Sequence, residues 1–231
     1  TFKNQNEWLI VMEDLSGINF CRTTKNASKN HLISCLTWLA NFHAKYLGVR
    51  SDKLWEIGTY WHLDTRPDEF DVLEDSELKT YAKKIDEVLN NSKYQTIIHG
   101  DAKLANFCFN DDGTSCAAVD FQYVGHGCAM KDVVYFMSSA VQPDECAKLE
   151  SWILDVYFKA LEKSLIYYHQ KIDITDIQKH YRELYPIAWA DFQRFIKGWS
   201  PNHFKNNAYS QSLTNKAIEI IKSKQKKEKY V

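Results

Sequence analysis

The 231-residue chain is 45% hydrophobic, enough to bury a sizeable core in one large domain or two small ones. Its 29 Lys and Arg nearly balance 30 Asp and Glu, so global charge offers no argument for nucleic acid or an anionic membrane surface as a partner, and any basic ligand site must be local. No apolar run approaches the ~20 residues of a membrane span and no leader pattern opens the chain, while six cysteines without a C-x-x-C pair read as reduced thiols of a cytoplasmic protein.

The pattern Glu7-Trp8-Leu9-Ile10-Val11-Met12 predicts a strand soon after Thr1, so the chain is expected to begin inside a fold with something upstream missing. The polar run Glu13 to Gly17 ends that strand. Ser28 is a candidate N-cap, and Leu32, Cys35, Leu36, Leu39, Ala40, His43 and Leu47 recur at spacings of three and four, which predicts a core helix over 29–47. Residues 48–71, rich in aromatics and bearing Pro67, read as irregular. A second helix is expected over 75–91, ended by Asn90-Asn91-Ser92.

The period then changes. Short β-type runs are expected at 96–98, 106–109 and 116–119, the last two joined by the hairpin signal Asn110-Asp111-Asp112-Gly113. Beyond Met130 the chain reads as helical: 131–139, 143–169 with Pro143 near its start, 175–197 with a bend before Pro186, and 209–226. The lysine-rich end reads as a solvated helix terminus rather than a nucleic-acid patch. The fold class is therefore α+β, mainly helical with a small hairpin.

One constellation carries chemistry. His99-Gly100-Asp101-Ala102-Lys103-Leu104-Ala105-Asn106 has the H-x-D-x-x-x-x-N spacing of a protein-kinase catalytic loop, and Asp120-Phe121 follows where a kinase places its metal-binding Asp-Phe-Gly. With each residue type near one in 20, the combined pattern arises by chance in roughly one chain in a thousand. Phosphoryl transfer needs such residues: a carboxylate, Asp101, to orient the acceptor hydroxyl and take its proton, and hard oxygen ligands, Asn106 and Asp120, for magnesium on the ATP phosphates. Lys103 is placed to offset charge on the transferring phosphoryl group; its alternative is a solvated surface lysine. His99 is read as a buried ring bracing the loop rather than as the base.

The runs I-I-H-G-D-A-K-L-A-N-F-C-F and A-A-V-D-F-Q-Y-V-G-H-G-C-A-M-K-D-V-V-Y-F resemble the aminoglycoside phosphotransferase and choline kinase superfamily, most closely its ecdysteroid kinase-like branch, to which Asp-Phe-Gln points. The segment from Ala188 to Lys205 also looks like the C-terminal region of related bacterial phosphotransferases. The resemblance implies a protein kinase-like fold, with residues 1–25 as the last strand of the N-terminal lobe and the hinge, and 26–231 as the C-terminal catalytic and substrate-binding lobe. It implies ATP and Mg2+ as cofactors, with the backbone of Met12, Glu13, Asp14 and Leu15 on the adenine, Asp101 as base, and Asn106 and Asp120 as metal ligands. Asp132 would brace the active-site loops and Gln122 would order Asp120. The rest of the N-terminal lobe, which supplies the phosphate-covering loop, the strand lysine and its glutamate partner, cannot be placed before Thr1.

The acceptor pocket, for a small molecule with a hydroxyl group, is expected in the helical C-terminal portion, where Trp189, Phe192, Phe195 and Trp199 lie near Asp191 and Arg194 and could form an aromatic and acidic wall, although aromatics at this spacing read first as helix core. Two other functions compete: a metal-dependent hydrolase using His99, Asp101 and Asp120, and a pseudokinase or binding module without activity.

Overall fold

The computed structural model describes residues 2–4, 7–169 and 171–228. It is α+β: seven helices dominate the described residues, with three two-stranded antiparallel sheets. Strands β1 (Phe2–Asn4) and β2 (Glu7–Leu9) pair with each other. Of the strand expected over 7–12, only Glu7–Leu9 is paired among the described residues; Ile10, Val11 and Met12 run on exposed.

Helix α1 (Lys29–Lys45) starts at Ser28, whose hydroxyl accepts from His31 N–H while His31 Nδ1 accepts from Ser28 N–H, a reciprocal cap built with histidine. It stops before the expected Leu47 because Gly48, at φ 75°, turns its N–H onto Gln95 O. Residues 48–66 are largely turns, and Pro67 opens the short helix α2 (Pro67–Asp71). Helix α3 (Ser76–Asn90) is capped by Asp75, which accepts from Leu78 N–H.

Strand β3 (Thr96–Ile98) pairs with β6 (Gly125–Gly127), a strand the sequence reading missed. Its Gly-His-Gly composition has low β propensity, but the site needs thin backbone: a Cβ at Gly125 would lie 2.6 Å from Trp55 O. Strands β4 (Phe107–Phe109) and β5 (Cys116–Ala118) form the expected hairpin, and residues 104–106 are a 3-10 turn rather than the strand's start. Arg22 extends the hairpin edge through paired backbone bonds to Phe109.

Helix α4 is Met130–Ala140, α5 Cys146–Tyr168, α6 Ile174–Trp199 and α7 Ala208–Glu228. Pro143 sits in the turn ahead of α5 instead of in its first turn. Helix α6 runs through Pro186 uninterrupted. Helices α1 and α5 pack along each other, and α6 lies among α3, α4 and α7. Leu36, Leu39, Val133, Ile153, Tyr157 and Leu161 are among the residues of one continuous core beneath the loop that follows β3. All six cysteines are free thiols. Among the described residues no helix is long and apolar enough to cross a membrane.

Candidate active site

The loop between β3 and β4 is held from behind by the first turn of α4. Asp132 is fully buried and its carboxylate accepts from His99 N–H at 2.6 Å, Gly100 N–H at 2.9 Å and His43 Nε2–H at 3.1 Å. Burial works to raise its pKa, but the hydrogen bond and charge of His43, with His99 and the Gly100 N–H, hold it below the usual carboxylate value. The expected bracing role of Asp132 therefore has a concrete form: it ends two backbone donors that the turn cannot satisfy itself. His43 is in turn fixed by Tyr157, whose hydroxyl lies 2.9 Å from Nδ1.

Gly100 adopts φ 79°, and a Cβ there would lie 2.1 Å from Tyr123 O and 2.8 Å from Thr59 N. Only glycine lets the loop pass this close to the segment after Asp120. His99 is buried; its Nε2–H donates to Val119 O at 2.9 Å and its Nδ1 accepts Asp101 N–H at 3.2 Å. Both ring nitrogens are thus spent on bracing, which fixes the tautomer and leaves none for a metal or a proton relay. The ring joins the two halves of the motif, since Val119 directly precedes Asp120.

Asp101 is 2% exposed. Its Oδ2 accepts from Lys103 Nζ at 2.9 Å and from Asn106 Nδ2 at 3.0 Å, and the same amide also donates to Asp101 O at 2.8 Å. Its Oδ1 is buried and has no partner among the described residues. The structure brings Asp101, Lys103 and Asn106 into direct contact. Lys103 is half exposed and paired with the carboxylate, so it is neither free in solvent nor remote from the candidate base.

Val119 N–H donates to Asn106 O at 2.9 Å, so Asn106 and Asp120 flank the base of one hairpin. Asp120 is exposed at φ 65°, a left-handed conformation uncommon outside glycine. Phe121 anchors it from below, its ring 4.7 Å from that of His99. With the Asn106 amide nitrogen committed to Asp101, its Oδ1 and the Asp120 carboxylate have no hydrogen-bond partner among the described residues, and each is a hard oxygen of the kind magnesium takes. Gln122 contributes its carbonyl, which accepts Trp55 Nε1–H at 2.8 Å. No group of three His, Cys, Asp or Glu converges among the described residues, and the hydrolase triad of His99, Asp101 and Asp120 is not assembled.

Met12 is 82% exposed; Glu13 is also exposed and Leu15 half-buried. Asp14 caps the turn 15–18 by accepting from Ser16 N–H. No contact joins these four residues to Asp101 in the way Lys103 and Asn106 are joined.

The expected acceptor wall divides. Asp191 and Arg194 are fully buried and paired at 3.0 Å, with Lys131 Nζ 3.5 Å from the other Asp191 oxygen. They face the interior and offer no charge to a ligand, so of the two readings offered for this segment the acidic wall fails and the helix core holds. Trp189 packs on Tyr209 in the core. Phe192 and Phe195 belong instead to a cluster with Tyr60, Trp61 and Tyr135, where Tyr60 donates to Tyr135 Oη at 3.1 Å. Burial pushes both phenol groups up and the Asp101 charge adds to the rise; the cluster adjoins the loop of Asp101 because Thr59, next to Tyr60, abuts Gly100. Tyr60, Tyr135 and His43 were not singled out as site residues. Only His43 carried a local signal, a polar ring on the apolar stripe of α1.

The sequence profile of the ecdysteroid kinase-like family matches residues 59–169, a span that includes Tyr60, the whole loop from His99 to Asn106, Asp120, Asp132 and Tyr135. No curated protein and no solved structure matches the chain significantly. The match spans the segment that carries the candidate chemistry, which is thus similar to the ecdysteroid kinase-like family, the branch that the motifs resemble.

Proposed function

We propose that the chain carries the catalytic lobe of a phosphotransferase that moves the γ-phosphate of ATP to a hydroxyl of a small molecule. The observation that carries this reading is the division of labour within Asp101. Its Oδ2 is held by Lys103 and Asn106, while its buried Oδ1 has no described partner, as a general base waiting for a substrate proton requires.

In this reading the acceptor O–H donates to Asp101 Oδ1. As the acceptor oxygen bonds the γ-phosphorus, the proton passes to Asp101; the bond from γ-phosphorus to the bridging oxygen breaks and ADP leaves with that electron pair. Lys103 keeps positive charge beside the base. Asn106 Oδ1 and the Asp120 carboxylate would hold Mg2+, which neutralises phosphate charge when bound. The backbone of Met12, Glu13, Asp14 and Leu15 would receive the adenine, and the reduced thiols fit a cytoplasmic setting.

The test is Mg2+-dependent ADP release across a panel of hydroxyl acceptors. Asp101→Asn should lower turnover by about 100-fold or more while circular dichroism stays unchanged. Equal turnover in the two proteins, or no acceptor that raises ADP release, would sink the assignment.

A further inference from the structure

Lys205 lies between α6 and α7, in a turn pinned by Lys205 N–H donating to His203 Nδ1 and Ser210 Oγ–H donating to Lys205 O. Its ammonium reaches back to α4, donating to Ser138 Oγ at 3.2 Å, and sits 5.1 Å from the Tyr135 ring centre and 5.0 Å from that of Phe192. Ser139, the next residue, accepts Leu104 N–H at 2.9 Å, so the same turn of α4 locks against the catalytic loop. Among the described residues Lys205 makes no ion pair, whereas Lys103, Lys131 and Lys197 each face a carboxylate. Burial pushes its pKa down to about 8, with Asp101 pulling it up and Lys103 pressing it further down. On the other side of the aromatic cluster the Arg66 guanidinium lies 5.7 Å from the Tyr60 ring centre and 5.5 Å from that of Phe195.

Two protein cations therefore already occupy ring faces that would otherwise attract a cationic ligand. A second cation would meet repulsion there, while a desolvated ammonium without a counter-ion is stabilised by an incoming anion. We propose that Lys205, with the Tyr60–Tyr135 hydroxyl pair, forms an acceptor subsite beside Asp101 that takes a carboxylate on the hydroxyl-bearing substrate and rejects cationic acceptors. The inference rests on the phosphotransferase reading for the word acceptor, but its selectivity is a binding property and is testable without turnover. The aromatic side is assigned to the acceptor because Lys103 and Asn106 already fill the other oxygen of Asp101.

Three probes of equal size separate charge from shape: 4-(hydroxymethyl)benzoate, 4-(hydroxymethyl)benzamide and 4-(hydroxymethyl)benzylamine. Calorimetric titration of the protein should give affinity in that order, with the benzoate about 10-fold tighter than the amide. Lys205→Met should abolish the order, Lys205→Arg should keep it, and ADP affinity should be equal in all three proteins. The proposal is overturned if the amine binds as well as the benzoate, if the order survives in Lys205→Met, or if the benzoate does not bind at millimolar concentration. It is overturned equally if Lys205→Met weakens ADP instead of the benzoate, since the ammonium would then serve the nucleotide phosphates. A failed turnover test with an intact charge order would count against the phosphotransferase reading alone.

Discussion

At the scale of residues, Asp132 gathers three donors from separate parts of the chain, the N–H groups of His99 and Gly100 and the ring of His43. Asp132→Asn places an amide among those donors and should cost about 3 kcal/mol in urea unfolding at pH 7, the lower end for breaking a buried pair. The pH dependence has a definite sign. Because the native pKa lies below 3.8, the contribution is complete above that value and is lost as pH falls through the native pKa. Between pH 5 and pH 3 the wild type should therefore lose more stability than Asp132→Asn; equal losses would show that the carboxylate is not held as described. The loop from His99 to Asn106 could be singled out from sequence because its spacing is local. His43, eighty-nine positions from Asp132, was legible only as a polar residue on an apolar stripe, and its partner was not.

At the scale of elements, the helices other than α2, which was read as irregular, were read nearly to their ends, because apolar spacing and caps are local. Ser28 and the stripe from Leu32 to His43 fall where expected. The strands were harder. Strand β6 hides as Gly-His-Gly, made a strand by close approach to Trp55 and Ile98 rather than by its own preference. Elements are also joined by single side chains: Asp75 caps α3 through Oδ1 and receives Lys197 Nζ of α6 on Oδ2 at 2.6 Å. Asp75→Ala removes both and should lower stability by about 1–2 kcal/mol, whereas Lys197→Met, which spares the cap, should cost less. Denaturation midpoints of the two variants check this, and a larger loss for Lys197→Met would refute the double role.

At the scale of the whole molecule, Lys131, Asp191 and Arg194 meet in the interior between α4 and α6, all fully buried, and Arg194 Nη2 also donates to Trp61 O at 2.7 Å. Burial works to raise the Asp191 pKa, yet the two cations hold it low. Asp191→Asn leaves two buried cations without a counter-charge and should cost about 3–5 kcal/mol, read from thermal or urea unfolding; a loss under 1 kcal/mol would mean that water reaches the cluster. The sequence could not tell this interior salt bridge from a ligand wall, since charged and aromatic residues at helical spacing fit both. By itself the sequence determined the helical periods, the hairpin, and the loop from His99 to Asn106 with Asp120 beyond it, because each depends on neighbours within a few turns of chain. Only the tertiary structure decided which oxygen of Asp101 is committed, that His99 braces, that Asp191 is spent in the core, and that Lys205 lies over the Tyr135 ring of the cluster that holds Tyr60. Those outcomes depend on packing and desolvation between segments distant in sequence, for which no local pattern of residues carries a signal.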